Sequence, residues 1–341
     1  KYIMQKYTVG IVGATGAVGE EVMRVLAQRD FPIKKLRIFG RPGRNDRSVG
    51  FKGKIIPVEQ LTRDPHFRGI DYLVFAASGQ VSQNFAHLAV NSGCIVVDNS
   101  SAFRMAKYVP LVIPAINAHA LKSHQGIIAN PNCTTAITLM ALWPLHKRFK
   151  VKRVIASSYQ SVSGAGQEGI DELERQIKLD VEERRMTNDR FVFAHQIAFN
   201  VLPYIGNISL SGYTDEEMKM QNEGRKIMDH PTFRASLTCV RVPVRRAHSI
   251  SVSAEFHDTV SVEAAHSVLV GSPGIDVIDD PSGNRYPMPL EQAGHDNCAV
   301  GRIRKDCAFE NGLSFFVSGD QLLRGAALNA VEILEELVKL R

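Results

Sequence analysis

Nowhere does this chain run to the ~18 unbroken apolar residues that a membrane-crossing helix requires, so a spanning segment is excluded. It also lacks any Cys-x-x-Cys pair, and with it the zinc and redox-disulfide readings that this spacing carries. The five cysteines, Cys94, Cys133, Cys239, Cys298 and Cys307, are an odd number, which implies a reducing cytoplasm. There is no basic tail. The net charge of +6 is spread along the chain, which makes nucleic acid a poor partner and anionic small molecules a better one. Residues Lys1 to Lys6 lack the apolar stretch of a signal peptide, and Met4 is read as the natural initiator. No internal repeat or low-complexity linker is visible, and no metal site is expected.

What is present is an ordinary globular composition, 44% hydrophobic and 22% charged, in a 341-residue chain that exceeds one ordinary core and so predicts two domains. Tyr7 to Val12 reads as a buried strand, a glycine turn follows, and a helical pattern runs from Ala17 to about Gln28. Leu36 to Phe39, Tyr72 to Phe75 and Ile95 to Val97 are further short apolar runs, with a helical stretch near Val81 to Val90. Alternation of this kind predicts a parallel sheet with helices on both faces. After Cys133 a helical pattern reaches about His146, and longer alternating strands take over, Val151 to Val162 and His248 to Phe256 most clearly. In the second of these, His248, Ile250, Val252, Ala254 and Phe256 share one face and Ser249, Ser251, Ser253 and Glu255 the other, so it covers a core on one side only. The amphipathic segment Leu322 to Leu340 is expected to be helical and to pack back on the first domain.

Gly13, Gly16 and Gly19 occupy the first strand-to-helix turn. Glycine there lets the backbone approach a pyrophosphate closely, and the following helix N-terminus offers free amides and a favourable dipole. Gly13, Thr15, Gly16, Ala17, Val18 and Gly19 are therefore candidate cofactor contacts. An NAD enzyme usually ends its second strand with an acid that holds the ribose hydroxyls. Here the strand runs into Arg41, Arg44, Arg47 and Ser48, with Asp46 the only acid, a pattern that suits the 2′-phosphate of NADP. Arg47 and Ser48 fit best. The expected fold class is α/β: a Rossmann-type NADP-binding domain over 1–133, completed by a C-terminal helix at 320–341, plus an α+β catalytic and dimerisation domain with a large mixed sheet over 134–319.

Asn130-Pro131-Asn132-Cys133-Thr134-Thr135 puts a cysteine where extended chain ends and a helix begins. A helix N-terminus stabilises thiolate, and its amides can also stabilise an oxyanion. Cys133 is thus a candidate nucleophile. Cys94, inside an apolar strand, and Cys239, near the start of another, read as packing residues.

Asn132-Cys133-Thr134-Thr135 resembles the active-site segment of aspartate-semialdehyde dehydrogenases, and Asp98-Asn99-Ser100-Ser101-Ala102-Phe103-Arg104-Met105 resembles their phosphate-binding segment. The likeness continues through Ile197-Ala198-Phe199-Asn200-Val201, Gly212-Tyr213-Thr214, Glu216-Glu217-Met218-Lys219-Met220, Arg241-Val242-Pro243-Val244, Val300-Gly301-Arg302-Ile303-Arg304 and Gly325-Ala326-Ala327-Leu328-Asn329-Ala330. The resemblance implies reduction of L-aspartyl 4-phosphate by NADPH to the semialdehyde, with release of phosphate, in the route to lysine, threonine and methionine. Thiolate attack gives a thioester, whose reduction yields the aldehyde.

The same resemblance implies roles. Cys133 and Asn132 form the nucleophile segment, His248 is the acid/base, and Gln160 holds the acyl group. Such a substrate carries phosphate, carboxylate and ammonium, and therefore needs two cationic positions and one anionic. Arg104 and Lys219 resemble the phosphate ligands, Arg241 the bidentate carboxylate ligand and Glu216 the amine partner, with adjacent Glu217 leaving that choice open. Ser163, Gly164 and Gln321 are implied as cofactor contacts. Taken alone, Arg104 reads as a surface ion pair, Lys219 and Glu216 as an i,i+3 helix pair, Gln160 as a satisfied strand amide and His248 as a core histidine. The implied assembly is a homodimer or a dimer of dimers. The alternatives are an N-acetyl-glutamyl-phosphate reductase, a non-catalytic NADP-binding relative and, as a poorer fit, a glyceraldehyde-phosphate dehydrogenase.

Overall fold

The near-continuous apolar run Tyr7–Val12 forms β1, buried on both faces as an interior strand of a parallel sheet must be. The computed structural model describes residues 5–40, 48–62, 66–181 and 192–340. Arg41, Arg44, Asp46 and Arg47 lie outside these residues, and with them part of the expected 2′-phosphate site. After β1 come α1 (Ala17–Gln28), β2 (Ile33–Gly40), β3 (Ser48–Phe51), β4 (Lys54–Gln60), β5 (Tyr72–Phe75), α2 (Gly79–Asn91), β6 (Ile95–Asp98), α3 (Pro114–Asn117) and β7 (Ile127–Ala129). Their sheet has the order β3-β4-β2-β1-β5-β6-β7 and is parallel apart from the edge hairpin β3/β4. Strand residues alternate between two buried faces. Leu73 and Phe75 join Val96 and the α2 residues Ala86 and Ala89 on one, while Tyr72 meets Tyr7 and Phe31 on the other. Burying each such side chain stabilises by about 1.5–3 kcal/mol. Chain order reverses at β1, which has β2 on one side and β5 on the other. In such sheets the crevice for a ligand opens at the carboxyl end of the strand where order reverses.

The chain then continues through α4 (Cys133–Phe149), β8 (Val151–Gln160), α5 (Gln167–Val181), α6 (Asp215–Ile227), β9 (Arg234–Arg241), β10 (His248–Phe256), α7 (Val262–Val270), β11 (Ile275–Val277), α8 (Pro289–Gln292), β12 (Cys298–Lys305) and β13 (Gly312–Gly319). The six strands form a mixed sheet in the order β11-β12-β13-β10-β8-β9. Ile250, Val252, Ala254 and Phe256 are buried, whereas Ser251, Ser253 and Glu255 are only half-buried. The covered face lies against α4, whose Phe149 ring meets Phe256 edge-on at 6.1 Å. Helix α4 is apolar on nearly every side and is buried accordingly.

A last helix, α9 (Leu328–Lys339), is preceded by a π-helical turn at Leu323–Ala327, so the regular helix is shorter than the periodicity of Leu322 to Leu340 predicts. It packs on α1, where Arg29 forms a two-pronged ion pair with Glu335 at 2.7 Å. The chain divides into two compact units, one running to Pro131 and resuming at Ala326, the other Asn132–Gly325. Among the described residues no helix is long and apolar enough to cross a membrane. Cys94 lies just ahead of β6 rather than inside it, and Cys239 near the end of β9 rather than its start. Both are buried, and burial pushes their thiols up to about 11 and about 12.

Candidate active site

In the first unit the glycine turn closes β1 onto α1. Gly13 has φ +85° and its missing Cβ would lie 2.4 Å from the Ala76 carbonyl oxygen, so no side chain fits. Gly19 sits in the first helical turn, where a Cβ would fall 2.2 Å from the Gly13 carbonyl oxygen. Gly16 is the N-cap of α1 and no side chain caps it, which leaves the amides of Ala17 and Val18 directed out of the helix start. This cradle fits a pyrophosphate. Ser48 begins the edge strand β3 and is exposed.

The Asp98–Met105 segment also belongs to this unit. Asp98 is fully buried and accepts from Ser82 Oγ at 2.7 Å, Ser100 Oγ at 2.8 Å and the Ser100 amide at 3.0 Å, which fixes the turn after β6. Arg104 is buried rather than a surface group, and donates to the carbonyls of Asn130 and Asn99 at 2.9 Å each. Asn130 in turn donates to Asn99 Oδ1 at 2.8 Å and accepts from Asn329 of α9 at 2.6 Å.

In the second unit Cys133 is the first residue of α4. Asn132 is the N-cap, its Oδ1 accepting from the Thr135 amide at 3.1 Å. Helix α6 grips Asn132 twice. Glu216 Oε1 accepts from its side-chain amide at 3.0 Å, and Glu223, two turns along the same helix face, accepts from its backbone N–H at 2.7 Å. Glu216 also accepts from Gln160 at 3.2 Å and from Lys219 at 2.8 Å. Burial alone raises a carboxyl pKa, but the Lys219 ammonium and these three donors outweigh it and bring Glu216 down to about 2. Glu217 is occupied elsewhere. It completes a capping box with Thr214 and accepts from the Cys239 amide at 3.1 Å.

Arg241 ends β9, in register with Gln160 at the end of β8, and is only 7% exposed. Its Nη1 donates to the Ser161 carbonyl at 2.8 Å. Burial lowers its pKa, opposed by the negative charge available at Cys133 and Glu216. His248 starts β10 after Ala247, whose φ of +70° is unusual for a side chain and turns the chain into the strand. The histidine is 0% exposed, and burial together with the Arg241 cation brings its pKa down to about 3, against a pull upward from Glu216. Gly164 is the floor between them: a Cβ there would lie 2.7 Å from Arg241 Nη1 and 3.2 Å from His248 Nε2. A half-buried thiol at a helix start is thus electrostatically coupled to a buried guanidinium, which itself acts on a buried carboxylate and a buried imidazole.

A family model described as the semialdehyde dehydrogenase NAD-binding domain matches residues 8–124, and one described as the semialdehyde dehydrogenase dimerisation domain matches residues 142–324. The aspartate-semialdehyde dehydrogenase of Aquifex aeolicus is 46% identical over 335 residues, 98% of each chain. This chain belongs to the aspartate-semialdehyde dehydrogenases. The Bacillus subtilis member of the family is 43% identical over 97% of both chains. Aspartate semialdehyde dehydrogenase II of Vibrio cholerae, solved in complex with ASA, has a TM-score of 0.94 at 36% identity, covering 98% of this chain and 99% of that one.

For an aspartate-semialdehyde dehydrogenase, the sequence candidates fall into two groups. The glycine turn, Ser48 and Arg104 lie in the first unit; Asn132, Cys133, Gln160, Ser163, Gly164, Glu216, Lys219, Arg241, His248 and Gln321 lie in the second. Four further residues support the second group; sequence reading had Gly325 only as part of a resembling segment and passed over the other three. Glu223 holds the Asn132 amide, and its spacing of seven from Glu216 was a signal available on α6. Asp320, fully buried, pairs with Arg246 at 2.6 Å beside the His248 turn. A Cβ on Gly325 would lie 2.7 Å from the Cys133 Cβ, so this glycine packs directly on Cys133. Ser161 touches His248, and nothing local in the sequence marks it.

Proposed function

We propose that this aspartate-semialdehyde dehydrogenase reduces L-aspartyl 4-phosphate to L-aspartate 4-semialdehyde with NADPH and releases phosphate, in the route to lysine, threonine and methionine. The observation that carries this reading is the cluster at the start of α4, in which a thiol is electrostatically coupled to the Arg241 guanidinium while Glu216 stands close by as a carboxylate. A fixed cation and a fixed anion beside a nucleophile are what an α-amino acid acyl donor requires. Arg241 pairs with the α-carboxylate, Glu216 faces the ammonium, and Lys219 and Arg104 meet the phosphate. An N-acylated substrate has no ammonium for Glu216, which disfavours N-acetyl-glutamyl-phosphate reduction.

Cys133 attacks the acyl carbon, forming the C–S bond as the C–O bond to phosphate breaks. The first-turn amides of α4 and the Asn132 cap hold the sulfur and the developing oxyanion. Gln160 orients the acyl group, and His248 is the acid/base partner of the reacting oxygen. When bound, the nicotinamide supplies the hydride that converts the thioester to the aldehyde. Its pyrophosphate sits on Gly13, Thr15, Gly16, Ala17, Val18 and Gly19, with Ser163, Gly164 and Gln321 as further cofactor contacts. The arginines after β2, Arg47 foremost, together with Ser48 support NADP over NAD.

The expected domains are 1–133 with the C-terminal segment 320–341 for the cofactor and 134–319 for the subunit contact and the rest of the catalytic residues; the compact units instead group Asn132 and Cys133 with the second part, Asn132–Gly325. The enzyme works in the cytoplasm as a homodimer, or a tetramer of two such dimers. The reverse assay tests the reading: L-aspartate semialdehyde plus phosphate should drive formation of NADPH, with NAD a poor replacement. Activity with N-acetylglutamate semialdehyde alone would sink it. Cys133→Ala should show no turnover and, by mass spectrometry with substrate alone, no acyl adduct.

A further inference from the structure

The two ring nitrogens of His248 meet opposite surroundings. Nδ1 faces the Ser161 backbone N–H at 3.1 Å and Ser161 Oγ at 3.0 Å. A backbone N–H can only donate, so Nδ1 presents its lone pair to it. The hydroxyl must then point its hydrogen at Nδ1 as well, because otherwise two lone pairs would face each other. Further donors fix that hydroxyl. The Ala247 amide donates to Gln321 Oε1 at 2.8 Å, which turns the nitrogen end of that side chain toward Ser163, and Gln321 Nε2 donates to Ser163 Oγ. Ser163 Oγ lies 3.1 Å from Ser161 Oγ. Each hydroxyl therefore accepts from one neighbour and donates to the next, in the direction Gln321, Ser163, Ser161, His248. All four side chains are buried. The direction cannot reverse, since the Ser161 N–H has no lone pair to offer. The ring proton is left on Nε2, which has no hydrogen-bond partner among the described residues.

We propose that Ser161, Ser163 and Gln321 are positioning residues that hold His248 neutral with its proton on Nε2, so that in the acylation step His248 meets the reacting carbonyl oxygen as a hydrogen-bond donor and keeps its proton. The proposal rests on the function given above and narrows the role of His248 within it. A nitrogen that carries the proton has no lone pair with which to act as a base. An imidazolium would set Nδ1–H against the Ser161 N–H; burial opposes the charge most, the Arg241 cation on β9 opposes it as well, and Glu216 on α6 and a backbone hydrogen bond at Ala247 favour it. Both Arg241 Nη1 and His248 Nε2 border the space left by the missing side chain of Gly164.

The chemistry balances without a proton from His248. Thiolate sulfur bonds to the acyl carbon, the carbonyl π pair moves onto oxygen, and it returns as the C–O bond to phosphate breaks. Phosphate leaves with that bond pair and takes its proton from water. The Nε2–H stabilises the oxygen while it holds the extra pair.

The full-length protein with ¹⁵N-labelled histidine, and His248→Gln to assign the resonance, is expected to show His248 with its proton on Nε2 and no imidazolium from about pH 8 to about pH 5.5. An Nδ1–H tautomer, or an imidazolium at neutral pH, overturns the proposal whatever the activity. Ser161→Cys nearly matches the side-chain volume but donates weakly. Its kcat is expected to fall about tenfold, the effect of one lost hydrogen bond, with little change in KM, and Ser163→Ala to move the same way. Wild-type kcat in Ser161→Cys would mean that the hydroxyl only fills space. His248→Gln, which keeps an N–H near the place of Nε2, is expected to be at least about tenfold faster than His248→Ala. Equal rates would remove the donor role. If the wild-type protein is inactive with L-aspartate semialdehyde and phosphate, the functional reading fails, whereas the NMR result still decides the tautomer.

Discussion

Arg241 and His248 show how burial converts ordinary side chains into specific ones. The Arg241 fork is held by the Ser161 carbonyl at 2.8 Å and lies over the Phe193 ring at 5.8 Å, so its plane is set before any substrate arrives. Lysine has the charge without the plane. Arg241→Lys is expected to raise the KM for the amino-acid substrate at least about tenfold while leaving cofactor KM and fold intact, because one of two parallel hydrogen bonds to a carboxylate is lost. Steady-state constants equal to the wild type would show that the guanidinium is structural only. His248 makes a prediction about acid stability. Its pKa falls from 6.5 in the free side chain to about 3 when folded, so the unfolded chain binds the proton first. Its contribution is complete above pH 6.5 and is lost as the pH falls toward 3, at up to about 1.4 kcal/mol per pH unit. Half-buried His146, lowered to about 4 by partial burial and by His230, loses stability in the same window. The difference between wild type and His248→Gln therefore isolates His248. Melting temperatures measured from pH 7 to pH 5 should fall more steeply for the wild type, and parallel curves would contradict the shift.

At the scale of elements, α4 and α6 together build the surroundings of Cys133, the proposed nucleophile. Helix α6 presents Glu216 and Glu223 on one face because they are seven residues apart, and both reach the residue that caps α4. Glu223→Ala would bury the Asn132 N–H without its acceptor, at a cost of about 1–3 kcal/mol, and should slow alkylation of Cys133 by loosening the cap. Glu223→Gln keeps an acceptor and should restore most of both losses. An alkylation rate unchanged in Glu223→Ala would show that the clamp does not hold the thiol. Gly325→Ala tests the other side of Cys133. The added Cβ would stand 2.7 Å from the Cys133 Cβ and 3.0 Å from its Cα, so backbone must move. We expect kcat to fall by about 10²-fold, the usual consequence of displacing a reacting group by an ångström, with folding retained by circular dichroism. Full activity would place the tolerance for movement higher than this packing allows.

For the molecule as a whole, the informative surface is the open face of the six-stranded sheet. The face away from α4 carries Ser249, Ser251, Ser253, Ser157 and Ser314, small enough to let a second sheet approach, with Ile155 and Tyr159 exposed among them. The Tyr159 ring lies 6.2 Å from Phe316 on the same face. We propose that this apolar cluster, left open in the unit that matches a dimerisation domain, is the subunit contact. Ile155→Lys combined with Tyr159→Glu is expected to shift the protein from the proposed dimer to monomer in light scattering, since each change buries a charge at such a contact. A dimer that survives both would place the contact elsewhere.

Sequence alone determined what depends on neighbours in the chain. Tyr7–Val12, Tyr72–Phe75 and His248–Phe256 were legible as strands because burial on one or both faces leaves a periodic or continuous apolar pattern. The glycine turn and the cysteine at a helix start were legible because each is a local demand of backbone geometry or of free amides. Strand β9 was legible only in part, with Cys239 near its end rather than its start, because its mixed polar and apolar residues lie at the sheet edge, with several of them exposed. The roles of Ser161 and Glu223 were not legible either, since their partners lie 87 and 91 residues away, at distances that only sheet register and helix packing close. The different surroundings of Glu216 and Glu217 arise the same way: the residues are identical in type and adjacent, and only a helix rotation of about 100° turns one toward Asn132 and the other toward its own N-cap.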